Sequence, residues 1–262
     1  MRTEQASENT LPMLLKALRL PTFAALFQEA AQKGQAEGLS LTQYLRYLAE
    51  SEVEDRRRRR IERLKKRSKL PGEKTISSFD LTRLPQKVQR QVPVLLEAHF
   101  LKRAENILAF GLPGRGKTHL LVAIGHELVR RGHAVFFTPV YQLVQRLLAA
   151  KRELALDKEL RKLDRFEAVI IDDMGYVQQD REEMEVLFTF LAERYESKSV
   201  MISSNLVFSQ WDRIFKDSMT TAAAIDRLVH HCTILELTGP SFRTQEAKQN
   251  IQPVNDEGAK EE

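Results

Sequence analysis

A glycine-rich segment near the middle of the chain places the strongest constraint on its fold. Residues 111–118 read GLPGRGKT and fit the pattern G-x-x-x-x-G-K-[ST]. An apolar stretch at 106–110, typical of a buried strand, precedes the segment, and helical periodicity from Lys117 to Arg131 follows it. This context predicts a loop whose backbone N–H groups face an anion, because glycine permits the turns that such a loop needs.

We expect this loop to hold the phosphates of ATP. Lys117 is expected to reach the β and γ phosphates and to act in the reaction, while the hydroxyl of Thr118 is a ligand for Mg²⁺. A packing role is the more common alternative for a lone histidine at a helix start such as His119. The candidate cofactor-binding residues are Gly111, Leu112, Pro113, Gly114, Arg115, Gly116, Lys117, Thr118, His119 and, after the last predicted strand, Arg243.

A second motif follows the loop by about 60 residues. The apolar run at 168–171 ends in Asp172 and Asp173, and two adjacent carboxylates at the end of a buried strand require a compensating cation. We assign Asp172 to Mg²⁺ and Asp173 to orienting or deprotonating an attacking water. Aspartate at the second position is shorter than glutamate, so the water must sit closer or the reaction is slow.

Two further positions are candidates for catalysis. Asn205 follows the predicted strand 200–203 and could hydrogen-bond the γ-phosphate or the attacking water. Asparagine after a strand is, however, also a turn former. Arg227 is our candidate for a trans-acting arginine that stabilises the transferring phosphate of a neighbouring subunit, and Arg243 is a weaker one. The alternative for each arginine is a surface salt bridge. Phe79 and Asn106 are candidates for adenine contacts by position only.

The alternation of strands and helices after residue 74 indicates an α/β fold with a mainly parallel sheet covered by helices. The five predicted strands are 106–110, 134–138, 168–172, 200–203 and 233–237. Residues 1–70 instead show apolar residues at helical spacing throughout. We therefore expect a helical domain over 1–70, the α/β domain over 71–250 and a disordered acidic tail over 251–262.

The helical region carries a basic block. Arg56 to Arg60 are consecutive arginines, and like charges at helical spacing repel one another unless a polyanion relieves them. We expect this helix to contact DNA phosphates, whereas a solvated helix paired with nearby acidic residues is the alternative. The candidate DNA contacts here are Arg56, Arg57, Arg58, Arg59, Arg60, Arg63, Lys65 and Lys66. No base-reading motif is visible, so any target preference would come from DNA shape.

Several stretches together resemble a known family. GLPGRGKTHL, IIDDMG, MISSNLVFSQW and the segments DRL and SFR are similar to the AAA+ ATPases of the DnaC and DnaA clade. The N-terminal segment from LLKALRLPTFAALF to EVEDR and the later TISSFD narrow the resemblance to the IstB-type helper ATPases of insertion sequences. The likeness covers nearly the whole chain except the acidic tail and implies a P-loop AAA+ three-layer fold.

The resemblance implies an ATP-dependent homo-oligomer that binds double-stranded DNA, remodels the target site and recruits a DDE-type transposase. It also implies DNA contacts from the helical insert at 141–163, and our candidates there are Arg146, Lys151 and Arg152. Two alternatives stay open: a DnaC-like helicase loader, and an ATP-dependent DNA-binding switch with negligible turnover. Because only about 25 residues follow Leu237, we expect no C-terminal helical lid, so that a neighbouring subunit closes the ATP pocket and hydrolysis requires assembly.

The remaining features fit a cytoplasmic protein. No apolar run approaches the roughly 18 residues of a membrane span, the first residues lack the layout of a signal peptide, and a single cysteine allows no internal disulfide. We therefore expect no membrane partner. The net charge of +5 is modest, and its concentration in the basic block carries more information than its size.

Overall fold

The structure is a computed structural model that describes residues 2–175, 180–207, 210–211 and 218–242. The chain divides into two compact units, Met1–Arg63 and Leu64–Glu262, which are described separately below. Arg243 lies outside the described residues, as does the acidic tail.

The first unit is helical, as the sequence predicts. Its helices are α1 (Arg2–Ala17), α2 (Pro21–Glu37) and the first part of α3 (Leu41–Ser68), which continues into the second unit. Proline begins α2, where a missing N–H is tolerated. Ser40 precedes α3 and exchanges hydrogen bonds with Gln43, and this pair of bonds is a capping box.

A buried carboxylate joins α2 to α3 within the first unit. Glu52 on α3 accepts hydrogen bonds from the backbone N–H groups of Thr22 (2.8 Å) and Phe23 (3.3 Å) at the start of α2. Burial raises the pKa of Glu52, but hydrogen bonds from Arg56 and from these backbone groups outweigh it and hold the pKa below its usual value. Glu52 therefore serves as the N-cap that the sequence of α2 does not itself supply.

Only some of the apolar residues in α1 and in the turn after it are buried. Leu15 is buried, whereas Leu14 and Leu18 are 58% and 68% exposed. Leu14 and Leu18 therefore do not belong to the buried core of this unit, whereas Leu15 does.

The second unit contains the end of α3, seven further α-helices and five strands in the described residues. The short helix η1 (Leu81–Arg83) precedes the first of these helices, and none of the described helices has both the length and the apolar character required to cross a bilayer. The helices are α4 (Gln86–Leu96), α5 (His99–Lys102), α6 (Lys117–Arg130), α7 (Val140–Arg152), α8 (Leu156–Leu163), α9 (Arg181–Arg194) and α10 (Ser218–Val229). The strands are β1 (Asn106–Phe110), β2 (Val135–Pro139), β3 (Ala168–Met174), β4 (Ser199–Ser204) and β5 (Cys232–Glu236).

The five strands form one parallel sheet in the order β2-β3-β4-β1-β5. The predicted strands are thus confirmed to within one or two residues. In this order β4 lies between β1 and β3, so the carboxyl ends of these three strands are neighbours at one edge of the sheet. In parallel α/β sheets this edge is where ligands bind, at the point where the chain reverses its direction of winding.

Helices cover both faces of the sheet and create two cores. Along β3, Val169 and Ile171 belong to one core while Ala168 and Ile170 belong to the other, which is the alternation that a pleated strand imposes. One core includes α7 and α9, and the other includes α4 and α6. Leu120, Leu121 and Ile124 of α6 are fully buried, as predicted for the inner face of that helix. The fold is therefore the expected three-layer α/β arrangement.

A buried arginine fixes the amino-terminal side of the sheet. The guanidinium of Arg194, at the end of α9, donates to the carbonyl oxygens of Phe166 (3.0 Å) and Ser199 (3.0 Å), which precede and begin neighbouring strands. Burial lowers the pKa of Arg194 to about 10, with Asp164 opposing that shift. One side chain thus connects the segments that lead into β3 and β4, and sequence periodicity gave no sign of this role.

Candidate nucleotide site

The loop between β1 and α6 is shaped by glycines at which no larger residue fits. Gly111 has φ 152°, and a Cβ built there would lie 2.4 Å from the carbonyl oxygen of Leu237. Gly116 has φ 83° and a Cβ there would meet the ring of Phe79 at 2.8 Å. The loop backbone is therefore held between the start of α6 and two other segments of the second unit.

Lys117 folds back over this loop. Its side chain is buried, and its ammonium group donates to the carbonyl oxygens of Gly111 (2.6 Å) and Leu112 (3.0 Å). A buried ammonium needs compensation, and carbonyl dipoles supply only part of what an anion would provide. The contacts with the loop carbonyls hold the positive charge beside the anion-facing loop, as the sequence predicts.

A chain of hydrogen bonds connects the loop to β3 and β4. The hydroxyl of Thr118 donates to Oδ1 of Asp172 at 2.7 Å, and the hydroxyl of Ser203 donates to the same oxygen. The carboxylate of Asp172 is buried, with 7% of the residue exposed. The structure therefore brings together the two predicted metal ligands, Thr118 and Asp172, and adds Ser203, which sequence reasoning did not single out.

Asp173 lies at an irregularity in β3. The register with β4 shifts between Ile171 and Met174, and Asp173 adopts φ 60°, a left-handed conformation that is uncommon outside glycine and asparagine. Its backbone N–H donates to the hydroxyl of Ser203 at 2.9 Å, and the residue is exposed. Bulges next to functional sites re-aim side chains, and here consecutive carboxylates point in different directions, one buried and one towards solvent.

Asn205 follows β4 at the same edge of the sheet. Its Oδ1 atom is buried and accepts no hydrogen bond from the described residues. Gly175, just after β3, approaches so closely that a Cβ there would lie 2.8 Å from that oxygen. A buried acceptor without a donor costs about 1–3 kcal/mol, so a water bound beside the phosphate loop would stabilise this oxygen by donating to it.

An aromatic group flanks the outer side of the loop. Phe79 packs 4.9 Å from the ring of His119 and 5.6 Å from the ring of Phe242, while the guanidinium of Arg83 lies 3.6 Å from the centre of the Phe242 ring. The backbone N–H of Phe242 donates to the carbonyl of Gly114 at 2.8 Å. Arg83 and Phe242 were not predicted, because they are distant in sequence from the loop that they cover.

His119 also has a partner in the segment before the sheet. Its Nε2 atom lies 3.2 Å from the hydroxyl of Ser78 and 3.2 Å from the carbonyl of Thr75. These contacts support the packing alternative for its side chain.

The two candidates for adenine contacts differ. Phe79 lies against Gly116 of the loop, as its position suggested. Asn106 stands at the amino end of β1, where its side chain donates to the carbonyl of Leu228 (3.2 Å) and accepts from the N–H of Val200 (2.9 Å). The prediction for Asn106 is wrong, because the loop follows the opposite end of the strand.

Arg227 also lies at the amino-terminal side of the sheet. It is one residue before Leu228, whose carbonyl is bonded to Asn106, and its guanidinium sits 4.9 Å from the centre of the Phe188 ring. Five residues of β1 at about 3.3 Å each separate this position from the phosphate loop of the same chain. Arg227 is therefore remote from its own loop.

The arginines of the basic block differ in their surroundings within the first unit. Arg56 pairs with Glu52 at 2.8 Å and donates to the carbonyl of Arg19, and Arg59 donates to the hydroxyl of Thr22 at 3.0 Å. Within the part of the chain that the structure describes, Arg57 and Arg58 form ion pairs with the i, i+3 partners Glu54 (4.0 Å) and Asp55 (2.6 Å). Arg60, Arg63, Lys65 and Lys66 are exposed residues further along α3. The pairing expected of a solvated helix thus exists for part of the block.

The basic candidates on α7 also differ from one another. Arg146 forms an ion pair with Glu159 of α8 and sits 5.5 Å from the centre of the Phe136 ring. Lys151 pairs with Glu185 of α9 at 2.9 Å, whereas Arg152 is exposed at the end of α7. Arg146 and Lys151 therefore help to join helices within the second unit.

The residues present fit a magnesium-bound triphosphate. Glycines leave no room for side chains in the loop, an ammonium is held beside it, and a hydroxyl and a carboxylate are the oxygen ligands that Mg²⁺ prefers. Asn205, whose Oδ1 has no donor among the described residues, follows β4 at the same ends of the strands. Together with the parallel sheet, these features define the second unit as a P-loop α/β protein of the AAA+ type.

Sequence comparison identifies the family. The chain belongs to the IstB-like ATP binding proteins, whose family profile matches residues 13–250. It is 42% identical over 241 residues to an insertion sequence ATP-binding protein of Sinorhizobium fredii, covering 92% of this chain and 81% of that one. It is 38% identical over 231 residues to the ATP-binding protein of insertion sequence IS5376 of Geobacillus stearothermophilus, covering 88% and 92%. The resemblance read from the motifs is confirmed.

Solved structures support the fold. The chain is similar to AMPPCP-bound DnaA from Aquifex aeolicus, with a TM-score of 0.56, 19% identity and 70% of this chain covered. It spans 56% of the length of that DnaA chain. It is also similar to DnaI, with a TM-score of 0.54, 20% identity, and coverage of 65% of this chain and 96% of that one. At these identities the likeness concerns the fold alone.

The close approach at Gly111 yields a stability prediction. Gly111→Ala should lower the free energy of unfolding by about 3 kcal/mol, because the methyl group meets a backbone carbonyl and the backbone is strained as well. Gly132→Ala is the matched control: its φ is 92°, but a Cβ there meets nothing within 4 Å, so a loss of about 1 kcal/mol is expected. Urea unfolding followed by circular dichroism measures both, and equal losses would contradict the packing described.

Proposed function

We propose that this protein is a magnesium-dependent ATPase that assists transposition of an insertion sequence. The observation that carries the proposal is the hydrogen-bond chain from Thr118 through Asp172 to Ser203, directly beside the phosphate loop. Family membership and the insertion-sequence relatives supply the biological setting.

The residues divide the chemistry among them. The loop N–H groups and Lys117 bind and orient the phosphates. Thr118 and Asp172 are the residues that would hold the metal, which would supply positive charge to the phosphates. Asp173 orients or deprotonates the attacking water, and Oδ1 of Asn205, which has no donor within the described part of the chain, accepts a hydrogen bond from that water. Phe79, next to Gly116, is our candidate for contact with the adenine base.

Ser203 offers a sharp test of this arrangement. Ser203→Ala removes the donor to Asp172 and the acceptor for the Asp173 N–H, so the turnover number should fall about 10- to 100-fold. The Mg²⁺ concentration for half-maximal activity should rise, while ATP affinity changes little. Steady-state phosphate release at varied Mg²⁺ concentration measures both quantities.

The neighbouring serine provides the control. Among the described residues, the hydroxyl of Ser204 hydrogen-bonds to the backbone of Leu206 and to no other group. Ser204→Ala should therefore retain near-normal turnover. If both variants kept the wild-type rate and Mg²⁺ dependence, the role given to the serine–aspartate contact would be excluded. ATP binding without phosphate release by the wild type would support the DNA-binding switch instead.

We further propose that catalysis takes place between subunits of a homo-oligomer. Arg227 is the candidate for the arginine that stabilises the transferring phosphate, and its distance from its own loop means that it could act only on a neighbour. Asp226 lies next to it on an exposed turn of α10, which is compatible with a subunit boundary.

Mixing two inactive variants tests this proposal. Arg227→Ala should hydrolyse ATP at least about 10-fold more slowly, and Lys117→Ala should also be inactive. In a mixture, Lys117→Ala subunits still carry Arg227 and can complete the sites of Arg227→Ala subunits. Phosphate release by the mixture should therefore exceed the sum of the separate rates at the same total protein concentration. A strictly additive rate would contradict action in trans.

DNA binding is the third part of the proposal. The exposed end of α3 presents cations at Arg57, Arg60, Arg63, Lys65 and Lys66, whereas Arg56 and Arg59 also bond to groups in α2 and the turn before it. Surface ion pairs such as Arg57–Glu54 at 4.0 Å are worth about 0–1 kcal/mol and yield readily to phosphates. We infer sequence-tolerant contact with the backbone of double-stranded DNA.

Substitution of three exposed cations tests this contact without disturbing the Glu52 cap. Replacing Arg57, Arg63 and Lys66 by alanine should reduce the slope of log affinity against log salt by about 2.7, since each neutralised phosphate contributes about 0.9. Fluorescence anisotropy with a duplex oligonucleotide gives the slope. The charge-matched control replaces the exposed Arg90, Arg131 and Arg165. An equal change in both variants would rule out the proposed contact.

Recruitment of a DDE-type transposase is the remaining part. Exposed apolar side chains at Met13 (72% exposed) and Leu14 on α1 and at Leu18 in the turn after it form an apolar surface that suits a protein partner better than DNA. A helicase loader would use its apolar surface for a helicase and would prefer single-stranded DNA. Copurification with the transposase of the same insertion sequence, together with preference for duplex DNA, distinguishes the two functions.

A further inference from the structure

Three potential metal-binding side chains meet at the amino-terminal side of the sheet, away from the phosphate loop. Glu196, His230 and His231 each offer one ligand atom, and these atoms lie within 4.8 Å of one another. Glu196 belongs to the turn between α9 and β4, and the histidines to the turn between α10 and β5. Since β4 and β5 both pair with β1, their preceding turns converge at its amino end.

The hydrogen bonds around the cluster prepare it for a metal. Nδ1 of His230 lies 3.1 Å from the hydroxyl of Tyr195, so that an Nδ1–H donating to this oxygen leaves Nε2 available as a ligand. Histidine ligands in metal sites are commonly oriented in this way through their other ring nitrogen.

The backbone at Glu196 is also unusual. Glu196 adopts φ 57°, a conformation that non-glycine residues rarely occupy. It appears in no ion pair with a lysine or arginine among the described residues. The ring of His231 lies 4.1 Å from that of His230, which brings both imidazoles to the same side of the turn.

We propose that Glu196, His230 and His231 form a binding site for a divalent transition-metal ion of the zinc type, with solvent completing its coordination. Two neutral imidazoles and a carboxylate are ligands that zinc accepts, with bonds of about 2.0–2.2 Å, and exposed side chains can close to these distances by small rotations. The bound ion clamps the α9–β4 turn to the α10–β5 turn.

The bound metal would restrict the end of α10, which carries Arg227. His230 is three residues after Arg227, and its backbone N–H donates to the carbonyl of Asp226 at 3.0 Å. A metal at this site would therefore fix the end of α10 that carries the proposed trans-acting arginine. Metal binding itself does not depend on that role, so the two proposals can fail separately.

Zinc binding to the untagged full-length chain tests the site. Equilibrium dialysis in excess Mg²⁺, which competes at the Asp172 site, should give one tightly bound Zn²⁺ per chain. His230→Ala, His231→Ala and Glu196→Gln should each weaken binding at least about 10-fold. Zinc should raise the melting temperature of the wild type by several degrees and that of these variants much less.

A matched control separates the cluster from ordinary surface histidines. His99 is exposed and lies 3.7 Å from Glu97, so it combines an imidazole with a carboxylate but offers only two ligands. His99→Ala should bind zinc like the wild type. Glu196→Gln is isosteric and exposed, so it keeps the test valid if a histidine variant fails to fold. Unchanged zinc affinity in Glu196→Gln and both histidine variants, or no tight site in the wild type, would overturn the proposal.

Discussion

The buried carboxylate of Asp172 is the group on which the arrangement of the candidate site depends. Its oxygen accepts hydrogen bonds from Thr118, at the start of α6, and from Ser203, on β4. These contacts connect the phosphate loop after β1 to two strands that the chain reaches only much later. Uncompensated burial of a carboxylate costs several kcal/mol, so the two hydroxyl donors are a requirement of the fold.

The sheet order explains why these groups meet. Placing β4 between β1 and β3 brings the loop, Asp172 and Asn205 to adjacent strand ends, and the irregularity in β3 turns Asp173 away from Asp172. The same order sends the turns before β4 and β5 to the opposite side, where Arg227 and the histidine cluster lie. The carboxyl ends of the strands thus carry the phosphate site. The amino ends lie beside Arg227, which is proposed to act on a neighbouring subunit.

Local patterns predicted much of this organisation. The glycine loop, the apolar run before Asp172 and the periodicity of α6 are short-range features, and the structure contains each of them where it was expected. Ser203, Arg83 and Phe242 could not be found in this way, because their roles come from contacts with residues distant in sequence. Asn106 was misjudged for a related reason: a strand position alone does not say which end of the strand faces the ligand.

The most direct test of the account combines one substitution with one change of solution. ATP affinity should be measured by calorimetry for the wild type and for Asp172→Asn, each with Mg²⁺ and with EDTA. If Asp172 holds the metal, Mg²⁺ should strengthen ATP binding to the wild type by about 10- to 100-fold and have little effect on the variant. An equal gain from Mg²⁺ in both proteins would contradict a metal site at Asp172, and with it the mechanism proposed.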